Sequence, residues 1–205
     1  MVTRPQGCGY LAAVVHLVGS LDAMRSAVGA AVLLGMLALS GCVEGDPLPT
    51  LPPTPSATPI FASEEEALAA AEEAYAAYSE VSDLIANDGG VDPERIAPFV
   101  TDEQLQNELD TAAYYRDHGI HSVGSVTVIK TVLQQANESV GTVEVAVYVC
   151  LDVESVRVLD NSGNDVTPSD RDPITALEVV LQGDAADSLL VASSDLWSDS
   201  SFCLS

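Results

Sequence analysis

Basic side chains are nearly missing from this chain: 7 Lys and Arg stand against 31 Asp and Glu in 205 residues, and Lys130 is the one lysine. Only Arg4, Arg25 and Asp22 precede residue 43, so the part from residue 43 onward holds 5 basic and 30 acidic residues, a net charge of −25. A surface of that sign repels phosphate backbones and anionic headgroups, which excludes nucleic-acid binding through a basic patch. The acids are dispersed along the chain instead of gathered in one tail, which points to solubility ahead of a cationic partner or bound divalent ions.

Other absences are as informative. No G-x-S-x-G, no H-E-x-x-H and no glycine-rich phosphate loop occurs, so no catalytic residue is assigned and no cofactor is called for. The four cysteines, Cys8, Cys42, Cys150 and Cys203, contain no C-x-x-C spacing, which leaves a zinc ribbon or thioredoxin-type motif without support. The most apolar run, Ser26 to Leu39, is uncharged but has fourteen residues. A spanning helix needs about 20, whereas the hydrophobic region of an export signal needs fewer.

That run is preceded by Met24 and Arg25 and followed by Leu39-Ser40-Gly41-Cys42. Basic residue, apolar stretch, and a leucine three before a cysteine with small residues between them resemble the bacterial lipobox. The resemblance implies cleavage before Cys42, a lipid on its thiol, and attachment to the cell membrane facing outside the cytoplasm. Residues 24–41 are then a signal peptide and residues 1–23 an over-extended N-terminus, with Met24 as the expected start. With Cys8 removed and Cys42 acylated, Cys150 and Cys203 remain, and an even remainder in an exported domain reads as a disulfide.

Residues 42–62 form the next unit. Six of the eleven prolines lie between Pro47 and Pro59, and proline both removes a backbone donor and pre-sets an extended chain. At about 3.1 Å per residue such a spacer holds a highly acidic domain several Debye lengths, each about 8 Å, from an anionic membrane.

Residues 63–205 read as the folded domain. Ser63-Glu64-Glu65-Glu66 is a capping box, and Leu68, Ala71, Tyr75, Tyr78, Val81 or Ser82, and Ile85 follow at helical spacing, predicting a helix over 64–86. Asp92-Pro93-Glu94 begins a short helical turn. Thr101-Asp102-Glu103-Gln104 is a second capping box, with Leu105, Leu109 and Ala112 or Ala113 as the apolar face and Gly119 as the stop. From Ile120 the grammar changes to β-branched runs: 123–133, 142–152, 156–159, 174–182 and 188–196, with turns at 137–141, 161–164 and 183–187. Helices followed by antiparallel strands make an α+β fold, N-terminal helices packed on a curved antiparallel sheet. This element order resembles the nuclear transport factor 2-like, or cystatin-like, cone, a domain carried by exported actinobacterial lipoproteins behind Pro/Thr-rich spacers. The Cys150…Trp197…Cys203 placement fits it.

The candidate sites are few. His118-Gly119-Ile120-His121 offers two imidazoles three apart, but a helix ending at Gly119 separates their faces, and no metal site is assigned. Asp160 to Asp165 resembles a calcium loop only until its sixth position, Asp165, and its twelfth, Arg171, which should be Gly and Glu; a hairpin turn explains it better. A cone implies a pocket between helices and sheet, for which Tyr75, Tyr78 and His121 are the candidate lining residues. The expected function is a membrane-anchored interaction module whose partner is an envelope protein or a small molecule. The alternatives are a small-molecule carrier or enzyme using the cone's pocket, or a passive envelope constituent.

Overall fold

The computed structural model describes residues 59–204. Two helices come first. Helix α1, Glu64–Asn87, is capped by Ser63, whose hydroxyl accepts from the Glu66 amide at 3.3 Å, while the Glu66 carboxylate turns back to accept from the Ala62 amide at 2.7 Å. This reciprocal closure satisfies two of the donors a helix start leaves open. A 3₁₀ turn, Pro93–Phe99, leads to α2, Asp102–His118, capped by Thr101 on the Gln104 amide and stopped by Gly119 in the left-handed region.

Six strands follow: β1 Ile120–Val123, β2 Thr127–Ser139, β3 Thr142–Asp152, β4 Arg157–Asp160, β5 Ile174–Gly183 and β6 Leu190–Leu196. The main sheet has the order β2-β3-β5-β6, all antiparallel, and β1 pairs with β4 in a separate two-stranded ribbon. Irregularities between Val128 and Lys130, between Leu133 and Gln135, and between Val180 and Leu181 bend the main sheet. The result is the α+β arrangement expected, helices on one face of a curved antiparallel sheet. Among the described residues, no helix is long and apolar enough to cross a membrane.

Alternation on β3 decides which face is covered. Val143, Val145, Val147, Val149 and Leu151 are buried in the core with Leu177, Val179 and Leu181 of β5, opposite Ala67, Ala71, Tyr75, Tyr78 and Ile85 of α1. Packing begins before Ser63: Phe61 is buried in the same core, and Ile60 packs against it. The entry is held by Glu138 near the end of β2, whose two carboxylate oxygens accept from the Ile60 and Phe61 amides, each at 2.9 Å. Glu138→Ala is expected to cost about 1–2 kcal/mol, the scale of bonds to a charged acceptor at a partly wet site. Hydrogen exchange should accelerate selectively at residues 60–62; unchanged exchange there would show that Phe61 alone holds the entry.

On the opposite face, Cys150 of β3 is bonded to Cys203, 53 residues later, with 5.6 Å between their Cα atoms. Tyr148 packs its ring against Trp197 and Phe202 at centroid distances of 4.8 and 5.4 Å, and Lys130 Nζ donates to the Phe202 carbonyl at 2.8 Å. The tail 197–203 is thereby laid across the uncovered side of the sheet.

Candidate functional site

The two tyrosines named from the sequence lie on the core-facing side of α1, one helical turn apart, with ring centroids 5.7 Å from each other. Both are essentially inaccessible, Tyr75 at 2% and Tyr78 at 0% exposure. They fill the space between α1 and the sheet instead of lining a cavity there. Each carries a hydroxyl into that interior, and a buried hydroxyl needs a partner. The Tyr78 hydroxyl donates to Glu108 Oε1 of α2 at 2.8 Å, and Gln104 Nε2 donates to the same oxygen at 2.8 Å. Asn107 extends the chain of bonds by donating to Gln104 Oε1 at 3.1 Å. The Tyr75 hydroxyl is buried near Ser79, one turn on along α1, and Ser194 of β6, and makes no hydrogen bond among the described residues.

This places a carboxyl group within the helix–sheet boundary. Burial pushes the Glu108 carboxyl above its usual range, and the two bonds it accepts, from Tyr78 and Gln104, only partly oppose that. Burial likewise raises the Tyr75 and Tyr115 hydroxyls, so both stay protonated. The cluster has the residue types of an acid–base site, but Tyr78, Glu108 and Gln104 are bonded to one another and all three are buried from solvent. Its evident work is to join α1 to α2 in one orientation.

Sequence reasoning missed Glu108. Apolar spacing marked Leu105, Leu109 and Ala112 or Ala113 as the inner face of α2, yet the buried residues are Gln104, Glu108, Ala112 and Tyr115. Leu105 and Leu109 are only partly covered. The overlooked signal is the polar pair Gln104 and Glu108, one turn apart and in phase with Ala112 and Tyr115.

His121 lies elsewhere. It sits on β1 opposite Leu159 of β4 and lines an open depression of about 350 Å³ with Asn87, Asp88, Tyr115, Arg116 and Asn161. Tyr75 and Tyr78 do not line it, so the structure does not bring the three candidates together. His118, the last residue of α2, stacks on Tyr114 at 3.9 Å and has Nδ1 2.9 Å from the Tyr114 carbonyl. Gly119, with φ +59, turns the chain between the two histidines. Among the described residues, no group of three or more His, Cys, Asp or Glu side chains is gathered to hold a metal ion.

The Asp160 segment is a self-contained turn. Its carboxylate accepts from the Ser162 and Asn164 amides at 2.8 and 2.9 Å and from the Asn164 side chain at 2.9 Å, which holds that carboxyl below its usual range, the Asn164 side chain most of all. Nearby, a second depression of about 360 Å³ has Arg157 and Arg171 in its wall. Arg171 is committed to the Val153 and Val156 carbonyls at 2.8 and 2.9 Å, and Arg157 to the Glu154 and Val156 carbonyls, so both guanidiniums tie loop backbone. Cys42 and the signal region lie outside the described residues.

No protein-family model matches the chain, and no curated protein matches it. Among solved structures, the fold is similar to the intermembrane space region of the chloroplast protein ARC6, with 12% sequence identity and a TM-score of 0.48, covering 64% of this chain and 97% of that one.

Proposed function

We propose that this chain is a lipoprotein held at the outer face of the cell membrane through Cys42, and that its domain, of the nuclear transport factor 2-like cone type, is an interaction module. The anchor rests on the order of Arg25, the fourteen-residue apolar run and Leu39-Ser40-Gly41-Cys42, with the proline-rich spacer behind it. The module reading is carried by one observation: the interior where a cone takes a small molecule is occupied by Tyr75, Tyr78, Ile96, Leu151, Leu177 and Leu181, all fully buried. A packed interior of this kind leaves recognition to the outer surface.

A second reading, a small-molecule carrier or enzyme, has the depression beside His121 and Arg116 in its favour. The buried Tyr115 lines that depression, but no buried carboxylate is among its lining residues, since the Glu108–Tyr78 pair is elsewhere.

Metabolic labelling with an alkyne-bearing fatty acid in the producing bacterium tests the anchor. The wild-type chain is expected to take up label and sediment with membranes, and Cys42→Ser to lose both. Absence of label on the wild type would overturn the reading.

A further inference from the structure

The acids of this chain are spread so evenly that one gap stands out. From His118 to Asn137 there is no Asp or Glu for twenty residues, the longest such run after Cys42, whereas elsewhere from residue 43 onward about one residue in five is acidic. The structure turns that gap into an edge. It comprises β1 and nearly all of β2, and β2 is a terminal strand of the main sheet, pairing only with β3 among the described residues. Val128, Ile129 and Val132 are exposed along it. The two charges associated with β2 are both turned to internal work: Lys130 reaches the Phe202 carbonyl, and Glu138 holds the Ile60 and Phe61 amides.

A long edge strand with open backbone groups is a template for another strand, and soluble proteins ordinarily blunt it with charge. Here acidic charge is withheld from most of that strand in an otherwise acidic domain, and its one lysine is drawn to the Phe202 carbonyl. A cationic partner would gain nothing from an acid-free strip, because its attraction is to the acids elsewhere. The strip matters for a partner that is itself strongly acidic, and a second copy of this chain fits that description. The irregularities flanking Thr131–Leu133 add twist to β2, and an identical strand carries the same twist.

We propose that β2 is the contact edge of a twofold dimer, in which β2 pairs antiparallel with its counterpart and the two four-stranded sheets become one continuous sheet. This goes beyond the interaction-module reading and does not depend on the lipid anchor. At the middle of β2 two copies meet through Val, Ile, Thr and Gln, with no carboxylate between Thr127 and Asn137.

Sedimentation velocity of the full 205-residue chain in mild detergent tests it. A dimer is expected, and raising salt from about 50 mM to about 500 mM should tighten it, since screening removes the repulsion between the acidic bodies. Ile129→Glu and Val132→Glu, both at exposed positions, should each weaken the dimer by about tenfold or more, because twofold symmetry sets the new acids against each other or against their images. Val166→Glu, exposed in the loop after β4, adds the same charge away from the edge and should leave the dissociation constant within about twofold. Hydrogen exchange should show β2 amides gaining protection with concentration, and matching melting curves should establish that the variants are folded. A chain that stays monomeric at high salt, a dimer indifferent to Ile129→Glu and Val132→Glu, or protection confined to other strands would each overturn the proposal.

Discussion

Replacing both Cys150 and Cys203 by alanine is expected to cost about 4 kcal/mol of folding stability, the largest loss predicted for any pair of substitutions in the domain. The figure comes from the chain entropy that a cross-link over a 53-residue separation removes from the unfolded state. For a domain of this size it lowers the melting temperature by roughly 10 °C. Structure adds a second reason. Cys150 is fully buried on the side of β3 away from the helices, and the tail that covers it also carries Phe202 onto Tyr148. Opening the bond therefore frees the tail to lift and wets that side of the central strand. Thermal melts of the wild type with and without reductant, beside the double variant, check this. Reduced wild type and double variant should agree, and a shift of only a degree or two in both would show that the tail is held by its other contacts.

Glu108 is expected to produce the second-largest effect, and with a distinct pH signature. Glu108→Ala removes the acceptor of both the Tyr78 hydroxyl and the Gln104 amide, at about 1–3 kcal/mol for each buried group left without a partner. A destabilisation of about 3 kcal/mol follows, measurable by urea unfolding. Glu108→Gln keeps an oxygen in place for both donors and removes the ionisable proton, so it should cost little or nothing near neutral pH. The sign of the pH effect is fixed by the direction of the shift. The folded-state carboxyl titrates above its ordinary value of 4.5 because burial penalises the charge. The folded protein therefore retains a proton that the unfolded chain has released. The stability this group confers is complete below about pH 4.5 and is lost as pH rises through the folded-state value. Wild type should thus lose stability relative to Glu108→Gln on going from acid to neutral pH, and the Gln variant should lack that component. Equal pH slopes for the two would mean that the carboxyl is better solvated than its burial implies.

These two sites also mark where sequence reading works and where it stops. The helices were legible because their signals are local: Ser63 with Glu66, Thr101 with Gln104, and Gly119 at the stop act within a turn of the chain. The central strands β3 and β5 were legible because one covered face enforces alternation. The first strand was misplaced. The run 123–133 reads as one strand, but Gly124 takes φ +97, and Ser125 and Val126 lie outside the ladder, so the chain breaks into β1 and β2. A hairpin turn was expected over 137–141, but Asn137, Glu138 and Ser139 stay paired with Glu144, Val143 and Thr142, leaving only Val140 and Gly141 to turn. The pairing of β1 with β4 joins segments more than thirty residues apart, and no local pattern encodes it. Glu108 was overlooked for a related reason. A carboxylate in a helix reads as solvent-facing until Tyr78, thirty residues earlier, is known to lie against it. Tyr75 and Tyr78 had the right helical phase for the interior, but phase does not tell a filled interior from a pocket.

The two fastenings on the β2–β3 hairpin have a mechanical consequence. The segment entering the domain is gripped by Glu138, and the tail leaving it is gripped by Lys130 on the same strand and by Cys150 on the next. A pull applied from the direction of residue 59 reaches the long hairpin before it can unwind α1 from its first turn. The load passes first through the two Glu138 bonds to the strand pair with the most extensive ladder in the domain, and the first turn of α1 is spared until those bonds give.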